Sequence, residues 1–174
     1  MKAKVVRGNG FRGCLSYVCG KRDAEPICGT LAGTTLDEMS AEVGAVRRLR
    51  TEAKNPVWHT SLSLPPGERM TSESWRHLTA LFLARMEIDP DSMQWIAVRH
   101  HDAAHDHVHV VVNRIRLDGS LWSNSNDVFK AIDITQQLEN DFGLQKTPGR
   151  GEKKSSFSPT SSERRMMART GERS

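Results

Sequence analysis

Five of the seven histidines in this 174-residue chain fall within ten positions, His100-His101-Asp102-Ala103-Ala104-His105-Asp106-His107-Val108-His109. Apolar stretches lie on both sides, Met93 to Val98 before the cluster and Val110 to Val112 after it. Two strand-like segments joined by a polar loop at 101–106 predict an antiparallel pair, 93–100 with 107–116. Side chains alternate faces along a strand, so His107 and His109 point the same way, roughly 7 Å apart. Two imidazoles on one face can converge on one metal ion. His105 shares their phase, but three residues of that parity would spread over roughly 13 Å of extended chain. Metal–nitrogen bonds near 2 Å make that an awkward span, so a ligand from the neighbouring strand fits better. His100, in phase with Ile96 and Val98, is the choice, and His101 on the opposite phase is the alternative. Three protein ligands leave a coordination position open, as catalytic sites do. Asp102, His101, His105 and Asn113 are placed behind the ligands, where they could orient an imidazole through its other nitrogen. Asp106 reads as a solvated loop carboxylate.

The length suits one domain with a modest core. The net charge of +4 admits an anionic partner without demanding one. Positive charge gathers after residue 145, in Lys146, Arg150, Lys153, Lys154, Arg164, Arg165, Arg169 and Arg173. No apolar run is long enough for a membrane span and no secretory leader opens the chain, so no membrane insertion is expected and the protein reads as cytoplasmic. The three cysteines, Cys14, Cys19 and Cys28, follow no zinc spacing and read as reduced thiols.

Lys2 to Val6 reads as a first strand, Phe11 to Cys19 as a helix after Gly8-Asn9-Gly10, and Pro26 to Thr30 as a weak strand. Thr35 and Glu38 form a capping box ahead of a helix with Leu36, Met39, Val43, Val46 and Leu49 at helical spacing. A strand from Pro56 to Leu64 stops at Pro65-Pro66-Gly67, and a helix spans about 72–87. After the strand pair, a last helix covers about 127–142 and closes at Gly143. The order βα(β)αβαββα predicts an α+β fold, one antiparallel-containing sheet flanked by helices, over residues 1–145. Residues 146–174 read as a basic flexible linker or the start of a following segment, with a helix possible from Ser161 to Met167.

Tyr17 is the only tyrosine. On spacing alone it is a packing residue of the first helix. As a nucleophile, a phenol with a pKa near 10 would need a base or a metal to stabilise its developing charge.

Three motifs then resemble, in order, those of the conjugative relaxases, specifically the P-type mobilisation proteins of the HUH endonuclease superfamily. They are Leu15-Ser16-Tyr17-Val18, then Trp58-His59-Thr60-Ser61-Leu62-Ser63-Leu64-Pro65-Pro66-Gly67, then His100-His101-Asp102 through His107-Val108-His109 to Asn113-Arg114. The ending Glu163 to Glu172 also resembles the segment that follows the nuclease domain in these proteins, which implies an N-terminal portion of a longer relaxase. The resemblance implies a strand-specific single-stranded DNA endonuclease that nicks a plasmid transfer origin and can rejoin the ends. Tyr17 would carry the 5′-phosphate, and His100, His107 and His109 would hold the divalent ion. Ser63 would contact DNA near the nick, and Asp102 would orient a histidine or assist proton transfer from Tyr17. Accessory relaxosome proteins and a coupling or secretion apparatus are the implied partners, in a bacterial, plasmid-encoded setting. The family is described as working with Mg²⁺ or Mn²⁺, whereas three imidazoles suit Mn²⁺, Zn²⁺ or Ni²⁺ better than Mg²⁺.

Basic residues flank both centres. Arg7, Arg12 and Lys21 lie near Tyr17, and Arg114 and Arg116 follow the histidines, as candidate phosphate contacts. Trp58, Trp95, Trp122 and Phe11 are candidate base platforms, with the tryptophans read first as core and Trp122 as the most exposed of them. Three other functions are open to such a chain. A rolling-circle replication initiator usually has its tyrosine after the histidines. A non-catalytic DNA-binding module would have a closed, four-coordinate metal. A water-using metallohydrolase would tolerate loss of Tyr17.

Overall fold

The computed structural model describes residues 1–151. Its elements follow the predicted order: β1 (Lys2–Gly8), α1 (Phe11–Cys19), β2 (Glu25–Gly29), α2 (Leu36–Arg47), β3 (Val57–Ser63), α3 (Ser72–Arg85), β4 (Trp95–His100), β5 (His107–Asn113) and α4 (Asp127–Asp141). The five strands form one sheet in the order β1-β3-β5-β4-β2, with each neighbouring pair antiparallel. This is the α+β architecture expected. β4 and β5 are central and buried along their whole length, which is why both read as apolar runs.

Alternation along the strands divides the core in two. Trp58, Leu62, Ala97, Val108, Val110 and Val112 face α3 and α4, where Trp75, Leu78, Phe82, Ala131, Ile134 and Leu138 complete the larger cluster. On the opposite face, Val57, Ile96, Val98 and Val111 pack beneath Phe11, Leu15 and Val18 of α1 and Met39 and Val43 of α2. Counting by twos from these residues puts His59, Ser61, Ser63, His100, His107 and His109 on this second face. Two short helices cover only part of it, so the histidines lie at the edge of a core rather than inside one.

The capping box forms as the sequence predicts, with Thr35 Oγ1 accepting from Glu38 N and the Glu38 carboxylate accepting from Thr35 N. The helix stops at Arg47 and tightens to a 3-10 turn over residues 48–50, which carries Leu49 out to 57% exposure instead of onto the buried face. Gly20 ends α1, and a Cβ there would lie 2.4 Å from Ser16 O. Only glycine permits that turn, which delivers Lys21 to the site. Beyond residue 145 the chain stays on the fold: Thr147 N donates to the Glu139 carboxylate at 3.1 and 3.2 Å. The expected helix from Ser161 and the rest of the basic segment lie outside the described residues.

Trp122 corrects an expectation, since it is 4% exposed and packs edge-on against Trp58. The bridge between Ile115 and Leu121 folds the Asp118-Gly119 turn back and draws Trp122 inward. Trp58, Trp95 and Phe11 are buried as well, so none of the four offers a base platform. Trp58 Nε1 donates to Asp127 at 2.8 Å, and Arg7 pairs with the same carboxylate. Burial alone would raise the Asp127 pKa, but the hydrogen bonds from Arg7 and Trp58 hold it below the usual range. A depressed folded-state pKa adds stability above the unfolded value near 4, and this is lost as pH falls through the folded pKa. Melting curves from pH 6 to 3 should therefore show a shallower acid dependence for Asp127→Asn than for wild type. Parallel profiles would rule out this contribution.

Candidate active site

The six-residue loop at 101–106 sets His100 directly opposite His107, with His109 opposite Val98 on β4. One nitrogen from each of His100, His107 and His109 lies within 4.8 Å of the other two. Each ring is anchored through its other nitrogen. His100 Nε2 donates to Val18 O at 2.7 Å, and His107 Nδ1 donates to His105 O at 3.1 Å. His109 Nδ1 lies 2.9 Å from His59 Nε2. The anchoring leaves Nδ1 of His100 and Nε2 of His107 and His109 for an ion. His100 Nδ1 is buried with no hydrogen-bond partner, a state that costs free energy unless something binds it. The residues therefore fit a metal.

Burial is the largest reason that the His109 pKa falls to about 3, and the nearby His100, His59, His107 and Lys21 lower it further. Burial also lowers His100. Neutral imidazoles keep the lone pairs that ligation needs.

Tyr17 faces this cluster from α1. Its ring centroid is 5.7 Å from His109, 6.2 Å from His59 and 6.3 Å from His100, and it is 52% exposed. It lines a cavity of about 450 Å³ with Lys4, Arg7, His59, Ser61 and His109. Lys21 Nζ sits 5.0 Å above the phenol ring and pairs with Asp102. Asp102 Oδ1 lies 3.5 Å from His107 Nε2, so this ion pair spans from the tyrosine to the triad. Lys21 is the main reason the Asp102 pKa lies below the usual range.

Several sequence candidates have other places. Asn113 Nδ2 donates to Gln94 Oε1 and its Oδ1 accepts from Ile115 N; four positions past His109, it braces the strand exit rather than an imidazole. His101 is exposed and paired with Glu25, because its phase turns it to the other face. His105 serves His107 through its backbone carbonyl. Arg114 is 6% exposed and gives its guanidinium to the carbonyls of Lys54, Asn55 and Trp122, which leaves it no phosphate to reach. Arg116 hydrogen-bonds Ser120 in the tight turn, roughly 20 Å of chain beyond His109. Arg12 pairs with Asp37 on the surface, and Arg7, on the cavity wall, is tied to Asp127.

Asp106 is not a solvated carboxylate. It is 3% exposed and takes a bidentate pair from Arg99 at 3.0 and 2.9 Å, along with Met70 N and Trp75 Nε1. Sequence reasoning also passed over His59, Lys4 and Ser61. His59 and Ser61 stand in the second motif and share the parity of Ser63, a signal whose value depends on β3 pairing with β5, whereas Lys4 on β1 gave none. A second cavity, of about 610 Å³, shares Lys4 and Ser61 with the first and adds Lys2, Ser63, His105 and Lys146. Among the described residues Lys2, Lys4 and Lys146 make no ion pair, so this open half of the sheet is a basic trough leading to the triad.

A three-histidine cluster on a sheet, faced by a phenol and opening onto a basic trough, is an arrangement suited to metal-assisted chemistry on an anionic substrate. Comparison with known families agrees: residues 17–144 match the family described as Relaxase, MobA/VirD2-like, nuclease domain, and the chain belongs to that family. It is also 25% identical over 150 residues to Protein TraI of Escherichia coli, an alignment covering 82% of this chain and 20% of that protein. The chain thus spans about a fifth of the length of this relative. No solved structure matched the chain. No helix among the described residues is long and apolar enough to cross a membrane.

Proposed function

We propose that this domain cleaves one strand of DNA at a plasmid transfer origin by transesterification onto Tyr17 and can reverse the step. The observation that carries this reading is the exposed phenol set against the His100–His107–His109 cluster, with Tyr17 and His109 lining one cavity. Tyr17 Oη attacks the phosphorus, the bond to the 3′-oxygen breaks, and the 5′-phosphate stays on the tyrosine. The phenolic proton is released to solvent, and the departing oxygen takes one up to become a free 3′-hydroxyl. A divalent ion on the three histidines would supply Lewis-acid stabilisation of charge on the scissile phosphate. The Lys21 ammonium, above the ring, favours negative charge developing on the phenol oxygen. Asp102, kept ionised by Lys21, is a weak proton acceptor, and its part is to balance charge beside His107. The strand runs along the trough, with Lys2, Lys4 and Lys146 on phosphates and Ser61 and Ser63 within reach of the backbone. Relaxosome proteins and a coupling apparatus are the partners this reading implies.

Single-stranded oligonucleotides spanning candidate transfer origins, incubated with Mn²⁺ and run on denaturing gels, test the reading. A covalent protein–DNA adduct with a free 3′-hydroxyl on the released strand is expected. Cleavage without an adduct would mean that water is the nucleophile and would overturn it.

Metal binding has its own expected outcome. At Mn²⁺ one hundredfold above its Kd, mass action adds about 2.7 kcal/mol to folding stability. The melting temperature should rise accordingly for wild type and stay flat for His109→Ala. An equal rise in both would place the ion elsewhere.

A further inference from the structure

We propose that His59 is a positioning residue: it locks the tautomer of His109 and, in the metal-loaded state, presents a hydrogen-bond donor to the anionic strand in the adjoining cavity. This rests on the reading of the triad as a metal site. His59 Nε2 and His109 Nδ1 lie 2.9 Å apart, with ring centroids 5.1 Å apart and planes tilted by 36°. A hydrogen bond between two neutral imidazoles needs one N–H and one lone pair, so it has two forms. In one, His59 Nε2–H donates to His109 Nδ1. The His109 proton must then sit on Nε2, which closes that nitrogen to an ion. In the other, His109 Nδ1–H donates to His59 Nε2, and His109 Nε2 is open. Only the second form is compatible with ligation, so loading the site selects it.

The selection has a consequence on the far side of His59. With Nε2 accepting, the proton of the neutral ring must sit on Nδ1. That nitrogen has no hydrogen-bond partner among the described residues, and the ring lines the 450 Å³ cavity with Tyr17, Lys4 and Ser61. The loaded site thus turns His59 into a neutral donor beside Lys4, suited to a non-bridging phosphate oxygen. Burial, the nearby His100 and Lys4 lower its pKa, which favours the neutral ring. A packing role explains less, since a half-buried residue between Val57 and Ser61 needs no imidazole to fill its place.

The first test uses the unaltered chain, ¹⁵N-labelled and loaded with diamagnetic Zn²⁺. Long-range ¹H–¹⁵N spectra should show His59 as the Nδ1–H tautomer and His109 bound through Nε2. His59 as the Nε2–H tautomer would overturn the proposal. The second is Mn²⁺ titration: His59→Ala should weaken binding 10- to 100-fold, the usual cost of losing a ligand's orienting partner. His59→Gln, whose amide oxygen accepts the same bond, should recover most of it. Equal affinity in all three proteins would overturn the lock while leaving the metal site intact. If wild type takes up neither Zn²⁺ nor Mn²⁺, the metal reading itself fails and this inference with it.

Discussion

Tyr17→Phe is expected to abolish the covalent adduct and cut strand nicking by about four orders of magnitude or more, the scale seen when a nucleophile is deleted. It is the only tyrosine, so no neighbouring phenol can substitute. The substitution removes one hydroxyl from a ring that is 52% exposed. Its effect on stability should therefore stay within about 0.5 kcal/mol, as for most surface changes. Oligonucleotide binding should persist, because the lysines of the trough are untouched, and that binding should weaken steeply with salt. Gel quantification of adduct and product, alongside a binding isotherm and a melting curve, separates these effects. Nicking that survives in Tyr17→Phe at anything near the wild-type rate would remove the tyrosine from the mechanism.

The second large effect concerns the loop that sets the triad. Asp106→Ala leaves Arg99 buried without its counter-charge and also removes acceptors from Met70 N and Trp75 Nε1. Breaking a buried pair from one side typically costs about 3–5 kcal/mol. With a urea slope of about 2 kcal/mol/M, the unfolding midpoint should fall by about 2 M. Asp106→Leu with Arg99→Met should lose less than the two single changes together, since no buried charge is stranded. The functional link is geometric. Leu64 N donates to Asp106 O, so this residue ties the loop between His100 and His107 to the end of β3. A midpoint within about 0.3 M of wild type would show that the loop is held by something else.

Much of this was written in local pattern. The alternation of His107, His109 and Val111, with His100 in phase with Ile96 and Val98, yields the triad, because a short loop between two strands fixes register over a few residues. The capping box and the end of α4 were legible for the same reason: their partners lie within one helical turn. The limits appear where burial depends on distant elements. Arg114 and Trp122 look like surface residues beside a polar turn, yet the chain folds back and encloses both. Asp106 sits among loop residues, and only the arrival of α3 turns it into the buried partner of Arg99.

The sequence by itself determined the strand pair, the three histidines and a lone tyrosine early in the chain. Tertiary structure alone decided what meets them. β3 pairs with β5 across 43 intervening residues or more and so brings His59 to His109 and Ser63 opposite His107. β1 joins the same sheet from the chain's start and adds Lys4 to the trough. Such pairings are set by global packing and loop closure, not by neighbours in sequence. A histidine that orients a metal ligand therefore looks, in one dimension, like any other residue on a strand.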